Sequence, residues 1–319
     1  MPHEQVSEPL PPTVAEVAHR VRDLINEPRT HALLRRDEAS FNVLCSCLDA
    51  IEDTQQGIDC YPVDSTERES GPLYVMLYGI LQILYVQQDA LADMTACVGL
   101  AYKRDRLLSD VRNVRNTSVG HPTKTHKGSS HFMVRVSMSP RGFDLMTLLS
   151  EDRAPRFESV SIPDLIEKQS RVVRETLVRI AEHLEERDRQ RRALHMDKKL
   201  TDIFPETLSY YFQKVFEATQ RPELHEFGRL HVDLILEITG KFKQALTDRD
   251  ALEAYEGVTI TLDEVEWPLL RLRAYFAGEE GELIDRSAYI FTTFCKGRVE
   301  ELRQMAAEID EEYASSGST

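Results

Sequence analysis

Apolar positions recur at helical spacing along most of the chain. Val14, Val17, Val21 and Leu24 mark a first stripe, which Pro28 interrupts. Phe41, Leu44, Leu48 and Ile51 mark a second over about residues 36–56. The stretch 57–72, with two Pro and two Gly among Ser, Thr and Asp, reads as a connecting loop. A long helix is predicted from about Leu73 to Tyr102. A shorter one is predicted from about Asp105 to Val119, stopped by Gly120 and Pro122, with a polar loop over 123–130.

The period then changes. Phe132, Val134, Val136 and Met138 alternate as on a strand, and Ser139-Pro140-Arg141-Gly142 suits a type I turn, with Pro second and Gly fourth. A β-hairpin near 131–149 is therefore expected. After Pro163 the helical period returns on Val173, Leu177, Ile180 and Leu184 and runs to about Leu200. Its EERDRQRR segment is charged on every side and reads as a solvated helix bridging two domains. Residues 205–319 read as wholly helical. Leu224, Phe227, Leu234, Ile238 and Phe242 form one stripe, and further helices are expected near 262–277 and 281–311. The expected fold is mainly α: a helical bundle with an inserted hairpin, then an all-helical C-terminal region. The boundaries fall at 1–34 for a tail and helix, 35–200 for the bundle, and 201–319.

Composition narrows the class. A length of 319 residues suggests about two domains, and 41% hydrophobic with 29% charged residues is globular rather than disordered. The charge balance, 39 − 54 = −15, argues against a broad duplex-binding surface, which needs clustered Lys and Arg. The five cysteines show neither a disulfide framework nor a CxxC pair. The N-terminus has no basic-then-apolar signal pattern. Leu73 to Leu91 contains Gln82, Gln87, Gln88 and Asp89 and is too polar for a bilayer. A soluble, cytoplasmic protein with no membrane association is expected.

Candidate chemistry lies in LLSDVRNVRNTSVGHPTK. On a helical wheel Arg115 falls at the edge of the face built by Leu107, Val111 and Ser118, whereas Asn116 points away. His121 follows the helix end. An imidazole moves protons near neutrality, and a guanidinium clamps a phosphoryl group. Attack of a ribose 2′-hydroxyl on its own phosphodiester needs those two parts and no metal. Equally, an Arg in a buried ion pair and a His closing a helix would leave the same spacing. Upstream, Gln87 and Gln88 enter the apolar face of the long helix, either as a buried network or, with Asp89, to meet Arg115 and a substrate. Gln82 lies beside Asp89 on the wheel, near Tyr78 and Tyr85. His121, His126 and His131 are evenly spaced, but no carboxylate or Cys joins them at ligand spacing, so no metal and no cofactor are expected. No GxxxxGK phosphate loop occurs. Residues 102–127 carry seven cations against Asp105 and Asp110, 7 − 2 = +5, so the one basic segment surrounds the Arg–His pair.

RNTSVGHP resembles the signature of HEPN-domain proteins: Arg, a polar residue, a few more residues, then His. Arg115, Asn116 and His121 match it, and YGILQILYVQQDAL is similar to the second long helix of one HEPN branch. The resemblance covers about residues 35–190, with the hairpin as an elaboration. It implies a HEPN-like bundle and a metal-independent endoribonuclease (a hydrolase by class) cleaving RNA by 2′-hydroxyl attack at a homodimer cleft. Such proteins are often toxins or anti-phage defence effectors restrained by an antitoxin or regulatory protein. In that reading His121 does acid–base work or orients the phosphate, Arg115 stabilises the transition state and Asn116 positions the motif. Asp89 is their polar partner, and Arg112, Lys124 and Gln88 bind substrate. The alternative is a non-catalytic helical dimerisation or protein-interaction module on the same scaffold.

Overall fold

A computed structural model describes residues 11–120, 129–149, 154–279 and 284–315. The chain divides into two compact units, Met1–Asn26 with Leu34–Glu185, and Glu27–Leu33 with Glu186–Thr319. This division departs from the expected boundaries at 34 and 200. The expected N-terminal helix, α1 (Val14–Asn26), buries Val14, Val17, Ala18, Val21 and Ile25 in the core of unit 1, so it belongs to the bundle. The next helix, α2 (Pro28–Leu34), falls almost wholly in unit 2.

In unit 1, α3 (Glu38–Asp59) starts at Asp37, whose carboxylate accepts from the Ser40 amide. Helix α4 (Ser70–Cys97) is shorter than the apolar pattern predicted. Gly99 adopts φ 81°, and the backbone turns there instead of running on to Tyr102. Helix α5 (Arg106–Arg115) is capped by Asp105, which accepts from the Leu107 amide at 2.7 Å, and continues as one π-helical turn, Asn116–Gly120.

The expected hairpin is a three-stranded antiparallel sheet, ordered β1 (Ser129–Met133), β2 (Gly142–Leu149), β3 (Arg156–Ser161). The alternation through Val134 and Val136 is not one strand: Arg135–Ser137 forms a 3₁₀ turn, leaving Val136 97% exposed. The Ser139–Gly142 turn closes with reciprocal backbone hydrogen bonds. Gly142 is required there, since its φ is 153° and a Cβ would lie 1.9 Å from the Val160 carbonyl oxygen. β3 carries little period-2 signal, because only Val160 of RFESVS is buried. The inner face, with Met133, Phe143, Leu145 and Val160, packs on Leu73, Leu77, Ile80, Leu81 and Leu84 of α4. Tyr61 ties the α3–α4 loop to the sheet through a 2.7 Å hydrogen bond to the Pro140 carbonyl, and burial pushes its phenol up to about 12.

Helix α6 (Ile162–His195) begins in unit 1, where Val173, Leu177, Ile180 and Leu184 are buried as expected. Its charged end is not fully solvated. Asp188 and Arg192 pair at 2.5 Å with side chains only 17% and 15% exposed, and Asp188 also faces Arg29 at 3.8 Å. The rest of unit 2 is α7 (Leu208–Thr219), α8 (His225–Asp248), α9 (Glu256–Phe276) and α10 (Asp285–Ser315) around one apolar core. No helix among the described residues is long and apolar enough to cross a membrane.

Candidate functional site

The α4–α5 pairing sets the site. Leu108 and Val111 bury one side of α5, which aims Arg112 and Arg115 along α4. Arg115 donates to Gln82 Oε1 from Nε at 3.2 Å and from Nη2 at 2.8 Å, and to Asn116 Oδ1 from Nη1 at 3.2 Å. Its guanidinium carbon lies 4.2 Å from the Tyr85 ring centroid. No ion pair joins Arg115 to a carboxylate among the described residues. A guanidinium carries five N–H donors, so these three bonds leave two without a partner among the described residues.

Arg112 is bound differently. It pairs with Asp89 at 2.6 Å and lies 3.8 Å from the same Tyr85 ring. Burial opposes its charge most strongly of any single influence, but the hydrogen bond and charge of Asp89, together with Tyr85, outweigh it and raise its pKa. Two cations thus share one aromatic ring while Asp89 pairs with Arg112 alone, which leaves an excess positive charge on the Arg115 side.

The π-helical turn shapes the other flank. Hydroxyls along this turn bond back to the Asn113 and Val114 carbonyls. Thr117 Oγ donates to both, at 2.8 and 3.1 Å, and Ser118 Oγ donates to Val114 O. The turn brings Gly120 against Arg115, where an added Cβ would stand 2.8 Å from Nη1. Asn116 itself keeps α-helical geometry (φ −64°, ψ −38°), and its Oδ1 meets Arg115 Nη1 beside that turn.

Several expected partners fall elsewhere. Gln88 is fully buried, and its amide donates to Gln169 Oε1 at 2.9 Å. Gln169 in turn donates to Gln87 Oε1 at 2.9 Å and to Leu84 O at 2.8 Å, and Gln87 donates to Gln55 at 3.2 Å. These glutamines form a buried network, so the placement of Gln88 at the substrate is corrected. Asp89 meets Arg112, not Arg115. His121, Lys124 and His126 lie outside the described residues. His131 sits on the sheet, its Nδ1 3.0 Å from Thr147 Oγ and its Nε2 3.3 Å from Ser129 Oγ. It lines an open cavity of about 540 Å³ with Asp110, Asn113 and Thr117 on the far side of α5. Among the described residues no three His, Cys, Asp or Glu are placed to hold a metal ion.

Sequence reasoning passed over Gln82 and Tyr85 as the partners of Arg115. The signal was present, since both lie on the polar side of α4 with Asp89, but the unusual glutamines of the apolar face drew the assignment. No family model matches the chain, and neither a curated protein nor a solved structure matches it.

Proposed function

We propose that unit 1 is a HEPN-like ribonuclease domain that cuts RNA without a metal. The observation carrying this reading is Arg115: a preorganised guanidinium held by neutral amides, with two free donors and no carboxylate partner among the described residues. Such a group keeps its charge for an anionic ligand, and its remaining donors suit phosphoryl oxygens. In the reaction a 2′-oxygen attacks the adjacent phosphorus, a P–O bond forms, and the 5′-oxygen leaves. Arg115 stabilises charge on the non-bridging oxygens, Asn116 and Gln82 hold it in place, and His121 moves the proton or orients the phosphate. Asp89 keeps Arg112 beside the site, and Lys124 adds charge for RNA. In this reading the protein acts as a homodimer in the cytoplasm, as a toxin or anti-phage defence effector restrained by an antitoxin or regulatory protein.

The test compares wild type with Arg115→Ala and His121→Ala on RNA in the presence of a chelator. Expected are 2′,3′-cyclic phosphate ends from wild type and a loss of about 10²–10³-fold in Arg115→Ala, with both variants folded. Undiminished cutting by His121→Ala would sink the mechanism. One observation favours the non-catalytic alternative: α4 exposes Val75 and Val86 along the surface that carries Gln82, apolar ground suited to a protein partner. A stable dimer with no cleavage of any RNA would establish it.

A further inference from the structure

The residues of α4 that hold the two arginines follow one another at helical spacing: Gln82, Tyr85, Asp89. One turn before Gln82, on the same side, stands Tyr78, 38% exposed. Its hydroxyl has no hydrogen-bond partner among the described residues. The ring rests against Tyr74 at 5.7 Å and 86°, an edge contact that restrains its orientation. Next to it Gly79 leaves open space, since an added Cβ would meet nothing within 4 Å. Val75, 75% exposed, extends the apolar ground beyond the ring.

A lone surface tyrosine needs no explanation. Tyr78 differs in its place. One helical turn, about 5.4 Å, separates it from the glutamine that holds Arg115, so the ring stands within a nucleotide's reach of a phosphate bound at that guanidinium. We infer that Tyr78 is a substrate-binding residue that stacks the nucleobase next to the phosphate held by Arg115, so that the RNA recognised is single-stranded or looped. This rests on the ribonuclease reading above and adds the substrate class to it. A base inside an A-form duplex has its faces covered by its neighbours, whereas an unstacked base offers one to an aromatic side chain. Every base has such a face, so the contact sets strandedness and not sequence. Stacking also supplies affinity that does not depend on charge, in a chain whose net charge of −15 repels a polyanion.

The experiment uses the full chain and two short RNA oligonucleotides with every 2′-hydroxyl methylated, which removes the attacking group. One carries all its bases and the other is abasic throughout. Binding is read by fluorescence anisotropy. Tyr78→Ala is expected to weaken binding of the base-bearing RNA about tenfold and to leave the abasic RNA unchanged, while Tyr78→Trp restores binding. On cleavable RNA the same variant raises KM about tenfold and keeps kcat. Equal loss on both oligonucleotides, no loss on either, or no binding by wild type overturns the inference. A wild-type protein that binds the methylated RNA and never cuts unmodified RNA overturns the ribonuclease reading instead, while the two binding constants still decide the role of Tyr78.

Discussion

Gln82 presents a single oxygen to two nitrogens of Arg115, Nε and Nη2, at 3.2 and 2.8 Å. The partner of the motif arginine is therefore a neutral amide. An amide fixes the guanidinium without neutralising it, whereas a carboxylate at the same position would occupy its charge. Gln82→Glu should leave stability unchanged or raise it by up to about 1 kcal/mol, as a partly exposed ion pair does. RNA cleavage and binding should both fall at least about tenfold. Thermal melts and cleavage rates of the two proteins, measured side by side, decide it. Full activity in the Glu variant would mean that Arg115 is only a structural cation.

Gly120 gives a second handle on the same side chain. Its φ is unexceptional, but a Cβ would come within 2.8 Å of Arg115 Nη1 and 3.7 Å of Asn116 Oδ1. The far end of a flexible side chain yields easily, so Gly120→Ala should cost less than about 1 kcal/mol in urea unfolding. The guanidinium must shift by some tenths of an ångström, and cleavage should drop more than tenfold because positioned groups tolerate little displacement. A variant with both stability and activity intact would show that Arg115 needs no fixed position.

The helices of the bundle were legible because Val14, Leu44, Leu48, Ile51, Val173, Leu177 and Ile180 are buried at 3.6-residue spacing. Three features escaped for definite reasons. The end of α4 depended on Gly99 in the left-handed region, which outweighed the helical pattern continuing to Tyr102. β3 escaped because its face is nearly all exposed. The π-helical turn escaped because a wheel at 100° per residue assumes α geometry throughout. The sequence placed Arg112 and Arg115 on one short helix, but their partners, Asp89 and Gln82, depended on where α5 lands along α4, which local periodicity does not encode.

The buried glutamines predict a loss of stability separate from function. Gln169 accepts from Gln88 and donates to Gln87 and to the Leu84 carbonyl, with no exposed surface. Gln169→Leu strands the Gln88 amide and the Gln87 oxygen in an apolar core, at about 1–3 kcal/mol for each unsatisfied group. A drop of about 2–4 kcal/mol in unit 1 stability should appear in denaturant unfolding. The conservative Gln169→Glu should behave no better, because it replaces a donating amide with a group that buries charge or must bind a proton. A change under about 0.5 kcal/mol in both variants would show that water or local rearrangement satisfies the network.

The free cysteines should separate by reactivity, and the order follows from burial. Cys60 is exposed, Cys45 and Cys97 are half-buried, and Cys47 and Cys295 are buried. Burial pushes the Cys47 thiol up to about 11, helped by the charge of Asp93, and the Cys295 thiol up to about 12. Burial also raises Cys45 and Cys97. The thiolate is the reacting form, so at pH 8 a thiol titrating near 11 is ionised to about one part in a thousand. Native protein treated with a thiol-reactive dye should therefore show one fast group at Cys60, slower labelling at Cys45 and Cys97, and reaction at Cys47 and Cys295 only after unfolding. The sign with pH is fixed: labelling of the folded protein accelerates as pH rises from 7 to 9. Replacing Cys60 with Ser should remove the fast phase and leave the others, as counted by mass spectrometry. Rapid native labelling of Cys295 would contradict the closed apolar core of unit 2.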